Sequence, residues 1–447
     1  MGFRFDAWKV LTLPGFKKYF FNISWLMVEK IFRSVLLLVV GAYVVRYLGP
    51  GQFGLLSYAI SFVTLFSAIA TLGLDGIVVR ELVKDGIKRD ELLGTAFFLK
   101  LAGAFSVLAV LYIAVHLTSS DSLTNLLIFI VASSAIFRSF NVIDFYFQSK
   151  VLSKYVVYTQ LVLLVVSSFI KLFLIWIQAP LLYFAIVFLI EGIILAIGLT
   201  IAYLSQKLNI FDWRFRAELA VRLLKDSWPL LLSGICLSIY MRIDQVMIKH
   251  ILGMEAVGQY AAAVKLSEAC YFIPAIVCGS LFPAIINAKN KSKELCRTRL
   301  QKLYNLMVWI ALPIALVTTL AADDVVRFLF GAEFFKAGPV LTIHIWAGLF
   351  VFLGTASSKW LIAENYTRIS FFRTFVGMIV NVILNIIFIP IYGINAAAFA
   401  TLISYAVATF SIVLMKHARQ QAYMMMISIT TLGIYKNKES GSEIVNE

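Results

Sequence analysis

Apolar residues along the chain gather into twelve runs, at 23–45, 55–79, 95–117, 125–147, 155–177, 181–203, 227–250, 259–286, 303–321, 340–362, 370–390 and 394–415. Each can cross a bilayer, because about 20 helical residues span a hydrocarbon core of about 30 Å. The pattern predicts an all-α integral membrane protein. A thirteenth run, 420–435, is short for a span and leads into the charged residues Lys436, Lys438, Glu439, Glu443 and Glu447. It is expected to lie in the membrane interface.

The polar connections alternate in charge. One set carries Arg80, Lys84, Lys88 and Arg89, then Lys150 and Lys154, then Lys207, Arg214, Arg216, Arg222 and Lys225, then Lys289, Lys291, Lys293, Arg297, Arg299 and Lys302. The opposite set holds Arg46, Lys249, Arg327 and Lys336. By the positive-inside rule both termini are expected in the cytoplasm. Gln206 to Asp226 is the longest polar connection and divides the spans six and six. The expected organisation is an N-terminal segment 1–22, an N-lobe 23–203, a linker 204–226, a C-lobe 227–416 and a C-terminal tail 417–447.

Composition agrees: 61% hydrophobic residues, 14% charged residues and a mean hydropathy of +0.90 leave too little polar surface for a soluble globule. The net charge of +15 lies in the connections rather than on one stripe, so no nucleic-acid partner is expected. The first 20 residues lack an apolar core and a small-residue cleavage site, so no cleavable signal peptide is read. Residues Phe3 to Phe20 mix aromatic and basic side chains, as in a helix lying among headgroups or an ordinary basic leader. Cys236, Cys270, Cys278 and Cys296, and His116, His250, His344 and His417, show no ligand spacing. Neither a disulfide nor a metal site is expected.

Cations inside the runs carry the chemistry: Arg33, Arg138, Lys171, Arg242 and Lys265. A cation at the centre of a spanning helix costs roughly 2.5 to 3.5 kcal/mol, so such residues usually face a bundle interior or a wet cavity. The set points to an anionic cargo. Helical spacing pairs Glu29 with Arg33 and Lys265 with Glu268, and puts Arg138, Asn141 and Asp144 on one stripe. In span seven, Ser238, Arg242, Gln245 and Lys249 share a face that Asp244 leaves. Each cation could instead be held in an ion pair that fixes helix packing. The acids Glu29, Asp144, Asp244 and Glu268 are either such partners or sites for a coupling H+ or Na+. Pro274, Pro283 and Pro313 are candidate bends, and Pro229 reads as a first-turn helix starter.

A weak repeat supports two related halves. Leu48, Gly49, Gly54 and Tyr58 follow span one; Leu252, Gly253, Gly258 and Tyr260 follow span seven. Glycines at these corners permit positive φ and close packing.

Together with Arg242-Ile243-Asp244-Gln245, Lys265-Leu266-Ser267-Glu268 and Phe328-Leu329-Phe330-Gly331…Phe334, these features give a resemblance over nearly the whole chain. The chain resembles the polysaccharide flippases of the multidrug/oligosaccharidyl-lipid/polysaccharide exporter superfamily, the group containing O-antigen flippases of the Wzx type. The resemblance implies a V-shaped bundle of two six-helix lobes, like the multidrug exporters of that superfamily. It further implies alternating access in a bacterial inner membrane. The cargo would be a polyprenyl-pyrophosphate-linked oligosaccharide, such as an O-antigen repeat unit for lipopolysaccharide, moved from the cytoplasmic to the external leaflet. Its pyrophosphate would be held by the cavity cations. A polysaccharide polymerase or glycosyltransferase machinery would be its partner.

The alternatives are an organic-cation antiporter of the same superfamily, which would concentrate buried carboxylates, and a polyprenyl-dependent membrane enzyme. No connection here exceeds about 25 residues under the span assignment, and none clusters catalytic acids or metal ligands, so no catalytic residue is expected.

Overall fold

The computed structural model describes residues 14–84, 88–118, 121–289, 292–364 and 366–432, with the side chains of residues 14–31, 283–284 and 367 also outside the description. The expectations for Phe3–Phe20, the Glu29 side chain, Pro283 and the tail from Lys436 fall wholly or largely outside it. Among the described residues the chain is helical, and eleven helices are long and apolar enough to cross a membrane.

In chain order the helices are α1 (Pro14–Leu65), α2 (Ser67–Thr71), α3 (Asp75–Val83), α4 (Arg89–Thr118), α5 (Ser122–Phe137), α6 (Val142–Ser149), α7 (Lys154–Trp176) and α8 (Leu181–Leu204). There follow α9 (Ala217–Leu252), α10 (Met254–Glu268), α11 (Phe272–Lys289), α12 (Lys293–Phe330), α13 (Ala337–His344), α14 (Ala347–Ala363), α15 (Thr367–Tyr392), α16 (Ile394–Phe410) and α17 (Arg419–Thr430).

Eleven rather than twelve arises at Gly49. There α1 kinks (φ 66, ψ 172), so one helical run joins the first two anticipated spans. The second span is also less continuous than its hydropathy suggests. The chain breaks after Leu65 and again at Leu72 and Gly73, both with positive φ. A Cβ at Gly73 would lie 2.7 Å from the Leu231 backbone nitrogen, so this break lets α9 approach the chain closely. Span four changes to a 3-10 turn over Arg138–Asn141, and span eight breaks between Glu268 and Phe272, leaving Pro274 in the first turn of α11. Pro229 lies inside α9 rather than at its start, because the helix already begins at Ala217, within the expected linker.

The described residues form two compact units, 14–48 with 55–238, and 49–54 with 239–432. The division cuts α9 after Ser238. The core of the first unit gathers Leu74, Ile77, Leu92, Phe147, Tyr203 and Leu223; that of the second gathers Leu303, Tyr304, Met307, Phe352, Leu353 and Met425. In each unit large apolar side chains also point outward, Phe169 and Trp176 in the first, Leu320 and Ile386 in the second. Helices apolar on all sides are what a lipid surround selects.

Within the second unit the repeated corners meet. Gly253 (φ 89, ψ 179) matches Gly49 in a backbone region that only glycine readily enters. A Cβ at Gly54 would stand 1.9 Å from the Met254 carbonyl oxygen, and one at Gly258 would stand 1.9 Å from that of Pro50. Each glycine thus seats against the residue following the other copy's corner, a reciprocal contact that the repeat alone did not reveal.

Candidate functional site

In the first unit, Arg33 of α1, Arg138 and Asn141 of the 3-10 turn, Asp144 of α6, Gln160 of α7 and Glu191 of α8 line a cavity of about 240 Å³. The sequence motif behind it is the i, i+3 stripe in span four. Three residues per turn make i and i+3 eclipse, so the 3-10 stretch aligns Arg138, Asn141 and the start of α6 along one wall. The Arg33 Nη1 donates to Gln160 Oε1 at 3.4 Å. Arg138 is exposed and its side chain makes no hydrogen bond or ion pair among the described residues. Its guanidinium keeps five N–H donors available in a membrane-embedded hollow.

Lys171 reaches the same cavity indirectly. Its Nζ lies 2.7 Å from Glu191 Oε1, and the Ser167 hydroxyl donates to that oxygen as well. Lys171 therefore neutralises a carboxylate in the cavity wall, leaving the two arginines against Asp144.

The second unit gathers the other candidates differently. Arg242 Nη2 is 3.0 Å from Glu268 Oε2, an ion pair between α9 and α10 with both side chains about three-quarters covered. Lys265, on the same helix as Glu268, instead lies with Nζ 5.6 Å from the centre of the Phe53 ring. Asp244 is buried. It accepts from the Tyr260 hydroxyl and from its neighbour's backbone N–H at 2.8 Å, and Tyr260 lies 3.3 Å from Thr401 Oγ1 on α16. No group of three or more His, Cys, Asp or Glu suited to a metal ion occurs among the described residues.

Sequence reasoning passed over four residues. Gln160 carries no charge to flag it. Glu191 was legible as a carboxylate at the middle of span six. Lys100 is 4% exposed and paired to Asp75 at 3.0 Å, with its Nζ 4.6 Å from the Phe145 ring centre. Arg373 sits near the start of its apolar run, where it reads as a flank. Its Nη2 donates to Gly354 O at 3.0 Å and Ser358 Oγ at 2.8 Å, while Nη1 is buried with no partner among the described residues.

Residues 20–289 match the family model described as polysaccharide biosynthesis protein, and residues 229–387 match the one described as MatE. An uncharacterised membrane protein of Methanocaldococcus jannaschii is 28% identical over 327 residues, 66% of this chain and 73% of its own length. The probable low-salt glycan biosynthesis flippase Agl15 of Haloferax volcanii is 26% identical over 172 residues, 38% of this chain and 36% of its own length. Among solved structures, the fold is similar to the lipid II flippase MurJ in an inward closed conformation, with TM-score 0.70 at 15% identity over 92% of this chain and 93% of that one. It is also similar to an inward-facing multidrug resistance MATE transporter, with TM-score 0.69 at 15% identity over 88% and 96% of the two chains.

Proposed function

This chain belongs to the polysaccharide biosynthesis protein family, a polysaccharide flippase of the multidrug/oligosaccharidyl-lipid/polysaccharide superfamily, and we propose that its cargo is a polyprenyl-pyrophosphate-linked oligosaccharide. An O-antigen or other surface-polysaccharide repeat unit fits that description. The pyrophosphate would be held in the first-unit cavity while the prenyl chain stays in the bilayer. The observation that carries this reading is Arg138, an arginine whose side chain has no partner among the described residues, beside Arg33 in a cavity with a compensated Glu191. A planar guanidinium donates parallel hydrogen bonds to two phosphate oxygens, which a point charge does not.

Transport would run by alternating access from the cytoplasmic leaflet outward, with both termini in the cytoplasm and the protein in the inner membrane beside the polymerase or glycosyltransferase machinery. Arg242 and Glu268 hold each other, so they serve the scaffold until opening separates them. Asp244, with Tyr260 and Thr401 around it, is the acid we assign to a coupling H+ or Na+. The MatE match supports a second reading, organic-cation export. That reading calls for a carboxylate-dominated cavity, whereas two arginines face Asp144 and a neutralised Glu191 here.

The test is transfer of a fluorescent polyprenyl-pyrophosphate oligosaccharide across proteoliposomes. A charge-assisted hydrogen bond is worth about 1.5–3 kcal/mol, so Arg138→Ala is expected to lower transfer at limiting cargo by roughly 10- to 100-fold. Unchanged transfer in both Arg138→Ala and Arg33→Ala overturns the anion role. Extrusion of organic cations by the wild type would promote the second reading.

A further inference from the structure

A second cationic pocket lies in the second unit and is lined by none of the residues assigned above. Arg297 and Gln301 of α12, Lys416 of the connector, and Arg419, Gln420, Tyr423, Met424 and Ile427 of α17 line about 330 Å³. Its place relative to the membrane follows from helix length. At 1.5 Å per residue the 38-residue α12 is roughly 57 Å long, so it overruns a core of about 30 Å and its first turns reach the headgroups. The 12-residue α17, roughly 18 Å long, cannot cross. Tyr423 and Met426 point outward from it, as suits a helix at the membrane boundary.

The pocket's charge is unbalanced. None of its lining residues is acidic, and Arg297, Lys416 and Arg419 make no ion pair among the described residues. Other cations are treated otherwise: Lys289 pairs with Glu364 at 2.7 Å in the same unit, and within the first unit a single carboxylate, Glu81, takes Arg80, Lys84 and Arg222. Three unmatched cations in one hollow repel one another unless an anion joins them.

The walls are held in place. Gln301 is buried and its Nε2 donates to Asn305 Oδ1, Met424 O and Ser428 Oγ at 3.0, 3.1 and 2.7 Å. The Tyr304 hydroxyl donates to Gln421 Oε1 at 2.6 Å, so α17 is pinned to α12. With the Gln420 amide turned to face it, Arg297 donates Nε and Nη1 to that oxygen at 3.0 and 3.2 Å. Arg419 Nε donates to Val413 O at 3.0 Å. Each guanidinium is oriented by one edge and keeps further donors for a ligand.

We infer that this pocket binds the phosphate group of an anionic membrane lipid, with Arg297, Lys416 and Arg419 on the phosphate and Tyr423 and Ile427 beside the glycerol and first methylenes. The site would fasten the C-terminal helix to the leaflet and make its position depend on lipid charge.

Native mass spectrometry of the full chain released from nanodiscs of mixed phosphatidylglycerol and phosphatidylcholine tests this without any transport assay. The wild type should retain phosphatidylglycerol in preference to phosphatidylcholine. Arg297→Gln, Lys416→Gln and Arg419→Gln should each lower that ratio by about five-fold and add when combined. Lys293→Gln with Lys302→Gln, outside the pocket, should leave it unchanged. The single exposed Lys416→Gln keeps the test open should the triple variant not fold. Excess inorganic phosphate that displaces the lipid assigns recognition to the phosphate alone; retention against it, with the ratio still lost in the variants, assigns the lipid headgroup. Equal ratios in wild type and pocket variants, or an equal loss in the control pair, overturn the proposal.

Discussion

Arg138 and Lys171 show how two cations of similar sequence context come to different roles. The Arg138 side chain meets no acceptor among the described residues, while Lys171 is consumed by Glu191. Removing Lys171 should therefore weaken anion transfer by exposing a carboxylate in the cavity wall rather than by losing a ligand. We expect Lys171→Ala to cost about ten-fold in transfer and Lys171→Ala/Glu191→Gln to recover most of it, a coupling within the range for contacting charges. Equal defects in the single and double variants would place Lys171 on the cargo itself. A different carboxylate governs acid sensitivity. Burial pushes the Glu81 carboxyl up, but hydrogen bonds and charge from Lys84 and Arg80 outweigh it and hold Glu81 below its ordinary value. A depressed pKa contributes stability that is full above the unfolded value, near 4.5, and is lost as pH falls through the folded one. Thermal unfolding across acid pH should show that loss in the wild type and less of it in Glu81→Gln.

The reciprocal glycine corners set the tolerance of whole helices. At Gly253 a methyl group meets open space and suffers only from the positive φ, a strain of about 1–3 kcal/mol. At Gly258 it would strike the Pro50 carbonyl, and the backbone must move. Gly258→Ala and Gly54→Ala should each lower the melting temperature in detergent more than Gly253→Ala does. The reverse order would mean that the two corners do not pack as described. Hydropathy made the helices themselves legible, since an apolar run of this length has no other stable form in lipid. It could not locate the breaks at Gly73 and between Glu268 and Phe272, because an apolar window averages over a turn; at Gly73 the turn lets α9 approach the backbone closely.

With the anionic cargo proposed above, transport would respond to the membrane field. An anion leaving a compartment that is negative inside gains about 2.3 kcal/mol per charge per 100 mV. The initial transfer rate should accordingly rise when the donor side of a proteoliposome is made negative. If Asp244 binds the coupling ion, Asp244→Asn should transfer cargo at a rate that no longer responds to Na+ or to a pH gradient. A response left intact would move coupling elsewhere, Glu268 being the next acid to test.

Residue order was sufficient for the membrane class and for most of the long apolar helices, because bilayer thickness acts on local composition, and it pointed to the corner glycines; it did not show that the first two runs join in one helix or where the second and eighth break. The stripe Arg138, Asn141 and Asp144 was likewise visible, since helical periodicity places neighbours three apart on one face. Partnership was not. Whether a guanidinium stays open, as in Arg138, or is taken by a carboxylate, as Arg242 is by Glu268, depends on side chains brought in from other helices. So does the meeting of Gln160 and Glu191 with Arg33, and the charge of Arg297, Lys416 and Arg419, whose pocket has no acid among its described lining residues, a neighbourhood that only folding assembles.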